Sequence, residues 1–97
     1  MRPGRYVGDY IRIKAAKART NHIEVVFANG NTVRLAKSDL IPEGSKSLRW
    51  DELSVGYYGL FIIVPGDPDV NISAEDVRSL TDREFRKYRL NRRGRPK

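Results

Sequence analysis

The stretch HIEVVFANGNTVRLA, residues 22–36, places two runs rich in β-branched residues on either side of Asn29 and Gly30. Such runs around a turn pair predict a β-hairpin. A two-residue turn would mix apolar and polar side chains on both faces, whereas a three-residue loop over residues 28–30, with Gly30 left-handed, separates them. The resulting register has one apolar and one charged side and pairs Val25 with Val33, Ile23 with Leu35 and Glu24 with Arg34.

Further strands are predicted on both sides of this hairpin. Residues 10–15 alternate strictly, so that one face carries Ile11, Ile13 and Ala15 and the other carries Tyr10, Arg12 and Lys14. The apolar run GLFIIVPG, residues 59–66, ends at a Pro-Gly pair and is expected to be the most buried strand. Residues 38–56 are expected to form a long loop with a short helical turn or strand. Trp50, Tyr57 and Tyr58 are expected to pack in the core or at a sheet edge.

Two helix starts are predicted near the end of the chain. Segments 73–76 (SAED) and 81–84 (TDRE) each place a hydroxyl three residues ahead of an acid, which satisfies free amides at a helix N-terminus. The first helix is expected to bury Val77 and Leu80, and the second Phe85 and Tyr88. We therefore predict an α+β fold with a small antiparallel sheet of three to four strands, one or two short C-terminal helices and a disordered basic tail.

The predicted organisation is a single domain over residues 10–90, preceded by an irregular basic lead-in at 1–9 and followed by a basic tail at 91–97. The net charge of +7 is concentrated at the C-terminal end, because residues 83–97 hold eight basic residues and one acidic residue. The other 82 residues hold eleven of each sign. A neutral body with a concentrated cationic end favours a polyanionic partner over a merely solubilising charge.

The residues that commonly carry catalysis or bind metals are sparse. The chain has no cysteine, and its one histidine, His22, has no partner marked by spacing. Residues 67–78 have the acids of a calcium loop at Asp67 and Asp69, but Ile72 stands where a glycine is needed and Arg78 where a bidentate acid is needed. We therefore predict a non-enzymatic protein without metal or cofactor. No apolar run has the length of a membrane span, and a cytoplasmic, nucleoid-associated location is expected.

The order of the strand, the hairpin IEVVFANGNTVRL, the buried strand and the segment DVNISAEDVRSL resembles a family of small bacterial β-rich domains of unknown function. The likeness spans roughly residues 10–80 and depends on the hairpin and on residues 72–78. The chain departs from the family at residues 64–66 (VPG), where members tend to have a tryptophan. Members are often found beside toxin–antitoxin modules or fused to a helix-turn-helix, so the resemblance implies a scaffold and an antitoxin-like context.

The C-terminal tetrapeptide Arg93-Gly94-Arg95-Pro96 is similar to the core of the AT-hook, with Arg92 and Lys97 as flanking cations. A narrow, strongly negative AT-rich minor groove attracts arginine side chains. A glycine lets the backbone come close to the groove, and a proline keeps the chain extended. The resemblance implies minor-groove contacts by these four residues.

The function predicted from the sequence is DNA binding, with a preference for AT-rich duplexes. Phosphate contacts are expected from Arg86, Lys87, Arg89, Arg92 and Lys97, with a second nucleic-acid face formed by Arg12, Lys14 and Arg34. Four phosphate contacts predict a salt slope of about −3.6. A homodimer would strengthen binding by presenting two arms. The alternatives are a protein-interaction module that docks on an acidic partner and an RNA-binding module.

Overall fold

Two three-stranded antiparallel sheets and two C-terminal helices make up the computed structural model, which describes residues 8–41 and 47–94, with side chains up to Leu90. The elements are β1 (Ile13–Ala18), β2 (His22–Phe27), β3 (Thr32–Ala36), β4 (Ser54–Gly56), β5 (Phe61–Val64), β6 (Val70–Ser73), α1 (Ala74–Thr81) and α2 (Arg83–Gly94). The sheet orders are β1-β2-β3 and β4-β5-β6. The α+β class and the C-terminal helices are confirmed, while the strands divide between two sheets.

The predicted hairpin register is confirmed. Strands β2 and β3 pair Val25 with Val33, Ile23 with Leu35 and Glu24 with Arg34. The amide of Phe27 donates to the carbonyl of Asn31 at 2.8 Å, which leaves residues 28–30 as the three-residue loop, and Gly30 has a φ of +98°. The separation of apolar from charged side chains on the two faces was therefore sufficient to predict the length of the loop between β2 and β3.

The first strand differs from its predicted alternation because it contains a bulge. Ile13 pairs with Phe27 and Ala15 pairs with Val26, so the ladder shifts between these two positions. A bulge inserts one residue and exchanges the two faces beyond it. Ala16 and Ala18 consequently pack against the core, whereas Ala15, predicted to face inward, is exposed.

The chain ahead of β1 also differs from a strand. Gly8–Ile11 forms a short 3-10 helix. Tyr10, predicted to lie on an outer cationic face, is half-buried there. Of the predicted lead-in at residues 1–9, residues 1–7 lie outside the described part of the chain.

One apolar core receives side chains from both sheets and from α1. Its fully buried members include Ile23, Val25 and Phe27 of β2 and Ile62 and Val64 of β5. Strands β5 and β2 both alternate half-buried and buried positions, and β2 has one more buried residue because it is two residues longer. Residues 59–66 thus hold a strand whose buried fraction equals that of β2.

The segment between the sheets contains the predicted short elements. Lys37–Asp39 and Trp50–Glu52 are 3-10 turns, and β4 follows the second of them. Trp50 packs against the core as expected, with the Nζ of Lys37 5.1 Å from its ring centroid. This indole anchors the segment to the first sheet.

Helix α1 begins where the sequence predicts it. The Oγ of Ser73 accepts a hydrogen bond from the amide of Asp76 at 3.0 Å, which satisfies one of the free amides of the first turn. The inward face carries Ala74, Val77 and Arg78, at the i, i+3, i+4 spacing of one helix side. Leu80 lies off that face and is 49% exposed, so the expectation that it is buried is wrong.

Candidate nucleic-acid interface

Helix α2 is held against the body of the protein at its first turn. The Oδ1 of Asp82 accepts hydrogen bonds from the amides of Glu84 at 3.0 Å and Phe85 at 3.2 Å. The predicted cap, Thr81, instead donates its hydroxyl to the carbonyl of Val77 within α1. The hydroxyl of Tyr10 donates to the carboxylate of Asp82, which ties this cap to the chain ahead of β1.

The inner side of α2 is aromatic. Phe85 is buried, with its ring centroid 5.8 Å from that of Tyr10 and 6.0 Å from that of Tyr88. Tyr88 is half-buried. The prediction that Phe85 and Tyr88 share the inward face is confirmed. Because these two rings pack against the rest of the protein, the opposite side of α2 faces the solvent.

Arg89, predicted to contact phosphate, lies on the inner side and binds α1. Its Nη1 is 2.8 Å from the Oδ1 of Asp76 and 3.0 Å from the Oγ of Ser79, and its Nε is 3.5 Å from the Oε1 of Glu75. The side chain is only 18% exposed. Its charge is thus shared with two carboxylates of the first helix, so Arg89 links the two helices.

The outer side of α2 is cationic. Arg83, Arg86 and Lys87 are exposed and occupy one face at the i, i+3, i+4 spacing. None of the three forms an ion pair within residues 8–41 and 47–90. Leu90, 64% exposed, continues the same face. We call this set of four residues the basic face of α2.

Arg83 was absent from the predicted phosphate contacts. The signal that could have found it is its spacing, because it lies one helical turn before Arg86 and Lys87.

The AT-hook-like segment is divided between described and undescribed residues. Helix α2 continues through Gly94, so the backbones of Arg92, Arg93 and Gly94 are helical rather than part of a tail that starts at residue 91. Arg95, Pro96 and Lys97 lie outside the described residues.

The second predicted nucleic-acid face is not a single surface. The Nε of Arg34 lies 3.7 Å from the Oε2 of Glu24, whose other neighbours are Arg19 at 3.3 Å and His22 at 3.7 Å. The hydrogen bond from Arg19 and the charges of Arg19 and Arg34 lower the pKa of Glu24 below its ordinary value. Arg34 is therefore partly neutralised and lies level with Lys17 of β1 across the sheet, whereas the exposed Lys14 is the extra residue of the β1 bulge and the exposed Arg12 precedes it.

A buried guanidinium joins α1 to the hairpin loop. Arg78 is 4% exposed, and its Cζ lies 3.8 Å from the ring centroids of both Tyr10 and Phe27. Its Nε donates to the carbonyl of Tyr10 at 2.7 Å, and its Nη2 donates to the Oδ1 atoms of Asn31 at 3.1 Å and Asn29 at 3.4 Å. Burial lowers the pKa of Arg78, because desolvation disfavours the charged form. The sequence predicted none of these contacts.

Tyr57 and Tyr58 lie on the surface. They begin the 3-10 turn Tyr57–Gly59 and are 62% and 92% exposed, so neither packs in the core. Tyr57 directly follows β4, an edge strand of its sheet, and its ring contacts the Phe61 ring, as expected for a residue at a sheet edge. We call Tyr57–Gly59 the aromatic turn.

Two negative findings apply to the described residues. Within 8–41 and 47–94 no group of three His, Cys, Asp or Glu side chains is placed to hold a metal ion. In the same residues neither helix is long and apolar enough to cross a membrane.

Comparison of this chain with protein-family models, with curated proteins and with solved structures found no match. The resemblances to the bacterial β-rich family and to the AT-hook therefore stay predictions, and any function has to be argued from the basic face of α2, the aromatic turn and their surroundings.

Proposed function

We propose that this chain is a non-enzymatic DNA-binding protein that contacts the phosphates of duplex DNA through the basic face of α2. The observation that carries the proposal is the division of charge around that helix. The inner arginine, Arg89, is neutralised by α1, whereas Arg83, Arg86 and Lys87 point outward together. Clustered, unpaired cations on a rigid element raise the local positive potential and attract a polyanion.

The spacing of the basic face suits a phosphate backbone. Arg83 and Lys87 are four residues apart, which is about 6 Å along a helix axis. Phosphates of one DNA strand follow one another at about 3.4 Å along the duplex axis. The three cations can therefore bind up to three consecutive phosphates, and one contact each makes the contribution of the basic face to the salt slope about −2.7.

The anchoring of α2 favours binding without a large ordering cost. Phe85 is buried, and both Asp82 and Arg89 fix the helix to the rest of the protein. Side chains on an already ordered helix lose less conformational entropy on binding than side chains on a flexible chain. The basic face is thus preorganised.

The AT-rich preference is proposed to come from Arg93, Gly94, Arg95 and Pro96. Arg93 and Gly94 occupy the end of α2, so these two residues have to leave the helical conformation before they can lie extended in a minor groove. That change costs little, because terminal helical residues fray and glycine is a poor helix former.

The test is a fluorescence-anisotropy titration of duplexes against salt. Variant Arg83→Gln/Arg86→Gln/Lys87→Gln is compared with Lys17→Gln/Arg34→Gln/Arg49→Gln, which removes the same charge from exposed positions on β1, β3 and the loop before β4. We expect the α2 variant to reduce the magnitude of the slope by about 2.7 and the control variant to leave it unchanged. Equal slopes in the two variants would show that net charge, and not the basic face, determines binding.

A separate comparison tests the AT-hook proposal in the full chain. Arg93→Ala/Arg95→Ala is expected to lower affinity for an AT-rich duplex more than for a GC-rich duplex. An equal loss on both duplexes would reduce the two arginines to nonspecific phosphate contacts. Stronger competition by RNA than by duplex DNA at equal salt would favour the RNA-binding alternative instead.

One observation supports the protein-interaction alternative. A groove of about 370 Å³ lies between the Lys37–Asp39 turn, β6 and α1. It is lined by Asp39, by Asp76, whose carboxylate is paired with Arg89, and by apolar residues that include the exposed Leu80. A largely apolar groove that also holds Asp39 fits a partly apolar segment of another protein that carries a basic residue. Weak DNA binding that is insensitive to the α2 variant would make this groove the preferred site.

A further inference from the structure

The aromatic turn has an unusual backbone. Tyr57 and Tyr58 are consecutive residues with φ values of 55° and 58°, in the left-handed region. That region is disfavoured for residues with a Cβ and is rare for bulky side chains. Strained positions of this kind persist only where the surrounding structure holds them, and they cluster at functional sites.

The aromatic turn is held tightly against β1. Gly59, with a φ of +91°, packs so closely that a Cβ there would lie 2.7 Å from the carbonyl oxygen of Ile13. The Tyr57 ring is edge-on to the Phe61 ring with centroids 5.4 Å apart, and the carbonyl of Leu60 accepts from the amide of Ala74 at 2.8 Å. The two tyrosines are therefore displayed on a fixed support.

Packing does not account for a tyrosine at position 58. Its side chain is 92% exposed, so it contributes little burial to offset its unfavourable backbone. A glycine or asparagine would adopt the same φ more easily. An exposed aromatic ring on a rigid, strained turn instead has the properties of a binding residue.

The side chain of Arg12 contacts the aromatic turn. The Cγ of Arg12 is 2.6 Å from the position that a Cβ on Gly59 would occupy, so the Arg12 stem runs along the turn. Arg12 is exposed and forms no ion pair within the described side chains. Lys14, also exposed, follows two residues later on β1. An exposed aromatic ring on a turn that the stem of an unpaired arginine contacts suits the alternation of base and phosphate in a single strand.

We propose that the aromatic turn and Arg12 form a second binding site, which takes unpaired nucleobases of single-stranded nucleic acid. The ring of Tyr58 stacks on a base, and Arg12 neutralises an adjacent phosphate. Sequence tolerance is expected, because every base offers a π-face for stacking. The site is separate from the basic face of α2 and does not depend on duplex binding there.

The test separates base stacking from charge by using three labelled oligomers of about ten nucleotides, a length within the site size of single-strand binders. One is oligothymidylate, one is oligouridylate, and one is an abasic deoxyribose oligomer with the same number of phosphates. The protein is the full chain, with Tyr58→Asn as the main variant, because asparagine tolerates the left-handed region. Tyr58→Phe is the matched control that keeps the ring.

We expect Tyr58→Asn to weaken binding of oligothymidylate and oligouridylate about tenfold, the loss typical of one stacked base. Its binding of the abasic oligomer should stay within about twofold of wild type, since the phosphate contacts are kept. Tyr58→Phe should match wild type on all three oligomers. Arg12→Gln should weaken all three, because it removes a phosphate contact.

Two results would refute the proposed single-strand binding site. The first is unchanged binding of both base-containing oligomers by Tyr58→Asn, which would show that the Tyr58 ring does not stack on a base. The second is an equal loss on all three oligomers, which would show that the base is not recognised. A loss in one base-containing oligomer alone restricts the site to DNA or to RNA. Substitution of Arg83, Arg86 and Lys87 provides the separate readout for α2, because it weakens duplex binding without abolishing the difference between oligothymidylate and the abasic oligomer.

Discussion

Replacing Arg78 by alanine is expected to be the most destabilising single change on the surface of α1 that faces the hairpin. The guanidinium donates to the half-buried carbonyl of Tyr10 at 2.7 Å and lies 3.8 Å from the ring centroids of Tyr10 and Phe27. Alanine removes these three contacts and leaves the carbonyl without its donor. It also removes the hydrogen bonds to Asn29 and Asn31, but these side chains are exposed, so water can replace the lost donor at little net cost. Because these groups join α1, the first sheet and the chain ahead of β1, the loss is shared by three parts of the fold.

The magnitude follows from these contacts. A hydrogen bond from a charged donor contributes about 2 kcal/mol, and each desolvated cation–π contact about 1 kcal/mol. Alanine also removes the cost of burying the Arg78 charge, which offsets about 1 kcal/mol of the lost stability. We therefore expect Arg78→Ala to lower the free energy of unfolding by about 3 kcal/mol, which corresponds to a fall in Tm of about 15 °C for a domain of this size.

The assay is urea unfolding followed by far-ultraviolet circular dichroism and by the fluorescence of Trp50, the single tryptophan. Arg86→Ala, which removes an exposed arginine of α2, is the control and should change the free energy of unfolding by less than about 0.5 kcal/mol. Arg78→Lys keeps the charge but not the planar fork, so it should lie between wild type and Arg78→Ala. A change below about 1 kcal/mol for Arg78→Ala would refute the reasoning.

Two further changes test the aromatic turn and the charged side of the hairpin. In urea unfolding, Gly59→Ala should lower the free energy of unfolding by about 2–3 kcal/mol, because its Cβ would lie 2.7 Å from the carbonyl oxygen of Ile13. The control is Gly30→Ala, whose Cβ would have no atom within 4 Å and which should lower the free energy of unfolding by about 1 kcal/mol. Equal losses in the two variants would contradict the steric argument. Glu24 has a pKa below its ordinary value of 4.5, so its ionised form stabilises the folded state above that pH and the stabilisation disappears as the pH falls through the lowered pKa. The difference in urea midpoint between wild type and Glu24→Gln should accordingly be largest at neutral pH and shrink as the pH falls below 4.5. A difference that grows on acidification would be inconsistent with the Arg19 hydrogen bond.

The elements that could be predicted from the sequence are those determined by neighbouring residues. The three-residue loop with left-handed Gly30 and the Ser73 cap of α1 both involve groups within a few positions of one another. The cap of α2 was assigned to Thr81 instead of Asp82, because either residue can supply an oxygen to the first free amides. Local chemistry thus located the helix start to within one residue.

The β1 bulge shows where periodicity fails. Strict alternation predicted Ala15 inward, but the ladder shifts between Ile13 and Ala15, and Ala16 faces the core. Nothing in residues 10–18 marks the extra residue, because the bulge is determined by pairing with β2. A one-residue shift is enough to exchange the faces of a strand.

By itself, the sequence determined the α+β class, the hairpin register and the concentration of positive charge after residue 82, because composition and short-range spacing are sufficient for these features. Only the tertiary structure decided which charges remain available. Arg89 is neutralised and Arg34 partly neutralised by carboxylates from other elements, while the basic face of α2 and Arg12 stay exposed. It also decided that Arg78 is buried and Tyr58 is not. The physical reason is that burial and ion pairing depend on contacts between residues far apart in the chain, and no local pattern of residue types specifies those contacts.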